Sequence, residues 1–162
     1  MIALGEIEAA TITRAALRLM NVSTSQAVER ALARLLDFAK DGTGPAPADE
    51  LQRVVYELFV PPSEREDIDP MTTRLRLLEG PGGDSAEGQL LVVVLAARGR
   101  LRLVQGMIEV GELAALAGCS TRHIRHLIDH GGLRRAGRAK RSPIAAGAAV
   151  AFLRDRGVPL PG

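Results

Sequence analysis

Apolar residues recur every three or four positions through most of this chain, and glycine, proline and capping residues mark the breaks. Leu4, Ile7, Ala10, Leu17 and Met20 fall at mostly helical spacing and predict a helix over residues 4–20, interrupted by Asn21-Val22-Ser23. Ser23 and Gln26 have the spacing of a capping box for a second helix. In that helix Val28, Leu32, Leu35, Leu36 and Ala39 make one face, and Gly42 closes it. Residues 42–47, rich in Gly and Pro, read as a turn. A third helix is expected over residues 49–59, with Leu51, Val54, Val55 and Leu58 inward, stopped by Pro61-Pro62.

The acidic stretch 63–69 reads as exposed surface. Asp69-Pro70 reads as the start of a segment that ends at Gly80, and Gly80-Pro81-Gly82-Gly83 as a loop. Asp84 and Glu87 resemble another capping box, ahead of an apolar run over residues 90–97 that is buried whatever its secondary structure. The cap and Gly99 favour a helix there; three consecutive valines favour a strand. Beyond Gly99, residues 100–104 alternate charged and apolar, and Gln105-Gly106 has the character of a turn into residues 107–110, together a small hairpin.

Residues 110–118 predict a short helix ending in glycine, and Ser120 is a good N-cap for another over residues 121–130. Two short helices joined by a tight glycine-containing turn make a helix-turn-helix pattern. In the second helix Ile124, Leu127 and Ile128 share about 100° of arc and are expected to face the first helix. Arg122, Arg125, His123, His126 and His130 populate the other side, so that side consists almost entirely of hydrogen-bond donors.

Charge sharpens this picture. The whole chain carries a formal +2, yet residues 119–156 hold nine basic side chains (Arg122, Arg125, Arg134, Arg135, Arg138, Lys140, Arg141, Arg154, Arg156) against Asp129 and Asp155. That segment is therefore at +7, and the rest of the chain, with 12 basic and 17 acidic residues, is at −5. A cationic block on an acidic body points to a polyanion, and nucleic acid is the first candidate. Nearly all the basic residues are arginine, which reads as GC-rich bacterial composition; their clustering is the informative feature.

The stretch from Ile108 to Leu133, Ile-Glu-Val-Gly-Glu-Leu-Ala-Ala-Leu-Ala-Gly-Cys-Ser-Thr-Arg-His-Ile-Arg-His-Leu-Ile-Asp-His-Gly-Gly-Leu, resembles the helix-turn-helix of excisionase-like and MerR-like winged-helix DNA-binding proteins. The basic residues 134–144 correspond to a short wing and residues 145–156 to a closing helix, so the resemblance covers the final third. It implies that Thr121, Arg122, His123, Arg125 and His126 face the major groove. Arg138, Lys140 and Arg141 would approach phosphates or the minor groove from the wing, with Arg134 and Arg135 leading into it. Glu109 departs from the family's usual Ser or Thr cap, and the wing is poor in β-branched residues.

Other chemistry is thinly represented. His126 and His130 at i, i+4, with His123 or Cys119, could be arranged around a divalent metal, but no carboxylate shares their stripe, and they read as surface or DNA-facing side chains. Gly80-Pro81-Gly82-Gly83 lacks the Gly-Lys-Ser/Thr ending of a nucleotide-binding loop. Glu64, Glu66, Asp67 and Asp69 read as solvated surface, and nothing pairs a nucleophile with a base. With 2% aromatic residues, duplex DNA is favoured over single strands or RNA.

No run approaches the length needed to cross a bilayer. Glu6 and Glu8 stand where a secretory signal carries basic residues, and a single cysteine forms no internal disulfide, so the cytoplasm is the expected location. The expectation is thus a mainly α, non-enzymatic protein without a cofactor. Residues 1–104 would form an acidic helical domain for dimerisation or partner docking, and residues 105–162 a winged helix-turn-helix that binds double-stranded DNA. It would serve as a transcriptional regulator or a mobile-element accessory factor; the rival is an adaptor whose basic segment docks on an acidic protein surface.

Overall fold

The computed structural model describes residues 3–59, 85–140 and 142–160. The acidic stretch, the segment expected to end at Gly80 and the loop after it lie outside the described residues, as does Arg141 of the candidate site. Among the described residues the fold is mainly helical, with seven α-helices and one antiparallel pair of two-residue strands. A turn of 3-10 helix at Leu4–Glu6 precedes α1 (Ala9–Met20), α2 (Gln26–Asp41) and α3 (Ala48–Phe59). Then come α4 (Ala86–Gln105), β1 (Met107–Ile108), α5 (Val110–Ala117), α6 (Thr121–Asp129), β2 (Ile144–Ala145) and α7 (Ala146–Asp155).

Among the described residues most elements pack on α4. Residues 90–97 are buried on every side of the helix, as a helix at the centre of a core must be. Helices α1, α2 and α3 pack on it from the amino-terminal half, while β1, α5 and α7 pack on it from the carboxy-terminal half. The division expected at residues 104 and 105 falls at the last turn of α4. Buried side chains from both sides of that point join in one continuous core.

Several local expectations are corrected. The amino terminus is not one helix from residue 4: a 3-10 turn and an extended Ile7-Glu8 precede α1, whose buried face is Ile12, Ala15 and Ala16, while Ala10 is exposed. Ser25 caps α2 in place of Ser23, its side chain accepting the Val28 N–H at 3.4 Å. Ser85 caps α4 in place of Asp84, accepting the Gly88 N–H at 3.1 Å. Within α2 and α3 the expected inward residues Val28, Leu32, Leu35, Leu36, Ala39, Leu51 and Val54 are buried.

The largest correction lies past Gly99. No strand forms at residues 100–104; α4 runs through Gly99 to Gln105, and β1 pairs with distant β2, Met107 opposite Ala145 and Ile108 opposite Ile144. A strand reading of the alternating arginines fails because α4 uses both of its faces there. Arg98 and Arg102 lie about 40° apart on the helix, with Arg100 about 200° from Arg98. Arg100 is only 4% exposed. Its Nε donates to the Ala39 carbonyl and one terminal nitrogen to the Lys40 carbonyl, both at 2.8 Å, while the other donates to the Pro159 carbonyl at 2.7 Å. One side chain thus closes the negative end of the α2 dipole and ties α2, α4 and the carboxy-terminal tail together.

Candidate nucleic-acid interface

Helix α5 is flanked by Glu109 as N-cap and Gly118 as C-cap, whose φ of 65° a side chain disfavours; there the Gly118 and Cys119 N–H groups both turn back to the Ala114 carbonyl. Ser120 then caps α6, accepting the His123 N–H at 3.1 Å. Ile124 is fully buried and Leu127 and Ile128 half-buried, so the apolar edge expected from the sequence is the one α6 turns inward. The Gly131-Gly132 turn leads to Leu133, also buried.

Residues 134–145 fold back on themselves. Arg135 bridges Ile144, the Ala136 N–H donates to the Pro143 carbonyl at 2.7 Å, and the Ala145 N–H donates to the Arg134 carbonyl at 3.2 Å. Because β2 also pairs with β1, this short hairpin is anchored to the strand that follows α4. Pairing covers only the residues next to Ile144, and the tip carries Arg138 and Lys140.

The candidate residues separate by exposure. Arg122, His123, Arg125 and His126 on α6, and Arg134, Arg138 and Lys140 on the hairpin, are all exposed. Among the described residues, none of these arginines and lysines is in an ion pair. Thr121 is half-buried at the start of α6. Arg135 differs: it is half-buried and donates to the Ser142 carbonyl, so it braces the hairpin from within. Arg156, part of the same cationic block, is also committed locally, its Nε 3.5 Å from the Ala117 carbonyl at the end of α5 and its guanidinium 5.2 Å from the centre of the Phe152 ring.

The His126 and His130 rings stack with centroids 4.0 Å apart, and His130 Nδ1 lies 2.8 Å from the His126 carbonyl oxygen. Among the described residues no three His, Cys, Asp or Glu side chains converge as metal ligands would. Cys119 is half-buried against the core; burial pushes its thiol up, with Arg156 opposing that shift, which leaves it poorly suited to act as a thiolate.

What the sequence reading missed is the seat on which this surface rests. Glu112, in the first turn of α5, is fully buried. Its Oε1 is 3.2 Å from Arg98 Nε and 3.1 Å from Arg102 Nε, and its Oε2 accepts the Glu109 N–H at 3.1 Å. The guanidinium N–H groups are not aimed at Oε1 well enough to count as hydrogen bonds, so both contacts are ion pairs. Arg102 reaches Glu109 as well, at 3.4 Å. Burial pushes the Glu112 carboxyl up, while the Glu109 N–H and the two arginines pull against that shift. Gly99 lies beneath: a Cβ there would come within 2.9 Å of Leu116 Cδ1, 3.1 Å of Ile108 Cδ1 and 3.2 Å of Glu112 Cβ. One signal for Glu112 was in the sequence, since it lies about 40° from Leu116 on the apolar side of α5.

Among the described residues no helix is long and apolar enough to cross a membrane. No family model, curated protein or solved structure matches the chain.

Proposed function

We propose that this chain binds double-stranded DNA, with α5 and α6 acting as a helix-turn-helix and residues 134–145 as a short wing. The observation that carries the reading is the exposed donor face of α6, Arg122, His123, Arg125 and His126, together with the exposed Arg134, Arg138 and Lys140; among the described residues no carboxylate is paired to these cations. A protein that needed these charges only for solubility would tend to intersperse acids among them. An unpaired cationic face instead gains when phosphates replace condensed counterions.

The roles follow from placement. Arg122 and Arg125, on a helix slim enough to enter the major groove, are assigned to base edges and neighbouring phosphates. Arg138 and Lys140 contact the backbone from the hairpin tip, and Arg135 keeps that tip in place. Thr121 and the histidines border the contact. One such head buries little surface, so tight specific binding calls for two, and the amino-terminal helices are the candidate pairing or partner-docking surface.

Nuclease footprinting on fragments of the source genome tests this. A discrete protected site that survives physiological salt supports sequence-specific reading, in a regulator or a mobile-element accessory factor. Capture of an acidic protein without any protection of DNA would support the adaptor reading instead.

A further inference from the structure

We propose that Glu112, Arg98 and Arg102 form a positioning clamp that sets the angle between α4 and the α5–α6 pair, and through it the aim of the exposed α6 face. Apolar packing alone is poorly suited to this. Leu113, Ala114, Ala115 and Leu116 of α5 are all buried, but the hydrophobic effect is non-directional and tolerates small rotations and slides of one helix over another. An ionic contact made at two points resists both. Two cations one helical turn apart on α4 converge on a single oxygen of one buried carboxylate, which fixes α5 both along and around the α4 axis.

The second oxygen of the same carboxylate receives the Glu109 N–H, so the clamp is also tied to the first turn of α5. Gly99 supplies the complementary restraint, because between the two arginines it is the absence of a side chain that admits Leu116, Ile108 and Glu112. Sliding α5 by one turn would set those groups against larger side chains. A buried ion pair adds little net stability compared with well-packed apolar groups, and its best-attested benefit is register. The clamp joins the amino-terminal body to the reading head, so anything docked on α1 to α3 meets a head of fixed orientation.

The consequence for DNA affinity rests on the proposed function, whereas the consequence for geometry does not, and one experiment separates them. In the full-length chain with Cys119→Ala, spin labels at Glu29→Cys on α2 and Asp129→Cys at the end of α6 report the distance from body to head. Circular dichroism follows helix content. With the clamp intact a single narrow distribution is expected, and Glu112→Gln should broaden or shift it while helix content is kept.

The unlabelled Glu112→Gln protein should bind a fluorescein-labelled duplex of about two helical turns some ten-fold more weakly, with an unchanged salt slope. Arg98→Met combined with Arg102→Met, which leaves the carboxylate in place, should broaden the same distribution. An unchanged narrow distribution in folded Glu112→Gln protein overturns the clamp. So does complete unfolding of both variants, which would make these residues general supports of the fold. A broadened distribution in a protein that never binds the duplex keeps the clamp and removes the DNA reading.

Discussion

Gly99 and Arg100 are neighbours in α4 with opposite relations to the helix that holds them. Glycine in a helix interior costs about 1 kcal/mol relative to alanine, yet here its missing side chain is the space into which Leu116 and Ile108 fit. Gly99→Ala should therefore lower stability by about 1–2 kcal/mol in urea unfolding, the crowding exceeding the gain in helix propensity. Arg100→Met should cost about 2–4 kcal/mol, since three carbonyls from two distant segments lose a charged donor.

Glu112 gives a pH signature. Its folded-state carboxyl titrates above the ordinary value, so the stability it contributes is present at low pH and lost as pH rises through that raised value. Across that window the melting temperature of Glu112→Gln should gain on that of the wild type, and pH-dependent calorimetry of the two proteins reads the difference. None of these roles was legible from residue type alone. Arginines at positions 98, 100 and 102 have the period of a strand, and only the packing of α5 on one side and α2 on the other shows why a helix carries them.

At the scale of elements the sequence was more transparent. The apolar face of α2 and the burial of Leu51 and Val54 in α3 follow from their periodicity, the burial of residues 90–97 follows from an unbroken apolar run, and Ser120 caps α6 as expected. Ser120→Ala should remove about 1 kcal/mol, visible as a lower urea midpoint with an unchanged slope. Where capping residues crowd together the choice of cap was not legible: Ser25 caps α2 although Ser23 lies close by, and Ser85 caps α4, because the chain path into each helix decides which side-chain oxygen can reach a free N–H. Pairing of β1 with β2 was equally hidden. Two-residue strands separated by two helices and a hairpin carry no local signal, and their partnership is set by the packing of α5 and α7 on α4.

For the whole molecule, the cationic segment of the sequence supplies exposed side chains on α6 and the hairpin, Arg122, Arg125, Arg134, Arg138 and Lys140, while the core beneath is continuous among the described residues. That continuity bears on how the parts behave when separated. Residues 105–162 alone would expose the apolar faces of β1, α5 and α7 that rest on α4, so this fragment should show little cooperative melting by circular dichroism. A fragment from residue 85 onward should recover part of it.

Engagement of duplex DNA by the exposed face of α6 is read out by fluorescence anisotropy of a labelled duplex across a salt series, using the wild type, Arg122→Ala and Arg125→Ala. Contact with about five phosphates predicts that log affinity falls with log salt at a slope of about −4 to −5 for the wild type. Each arginine variant should lose about 1–3 kcal/mol of binding while keeping its helix content. Equal affinity for all three proteins, or no binding by the wild type at low salt, would mean that α6 is not the DNA-contacting face.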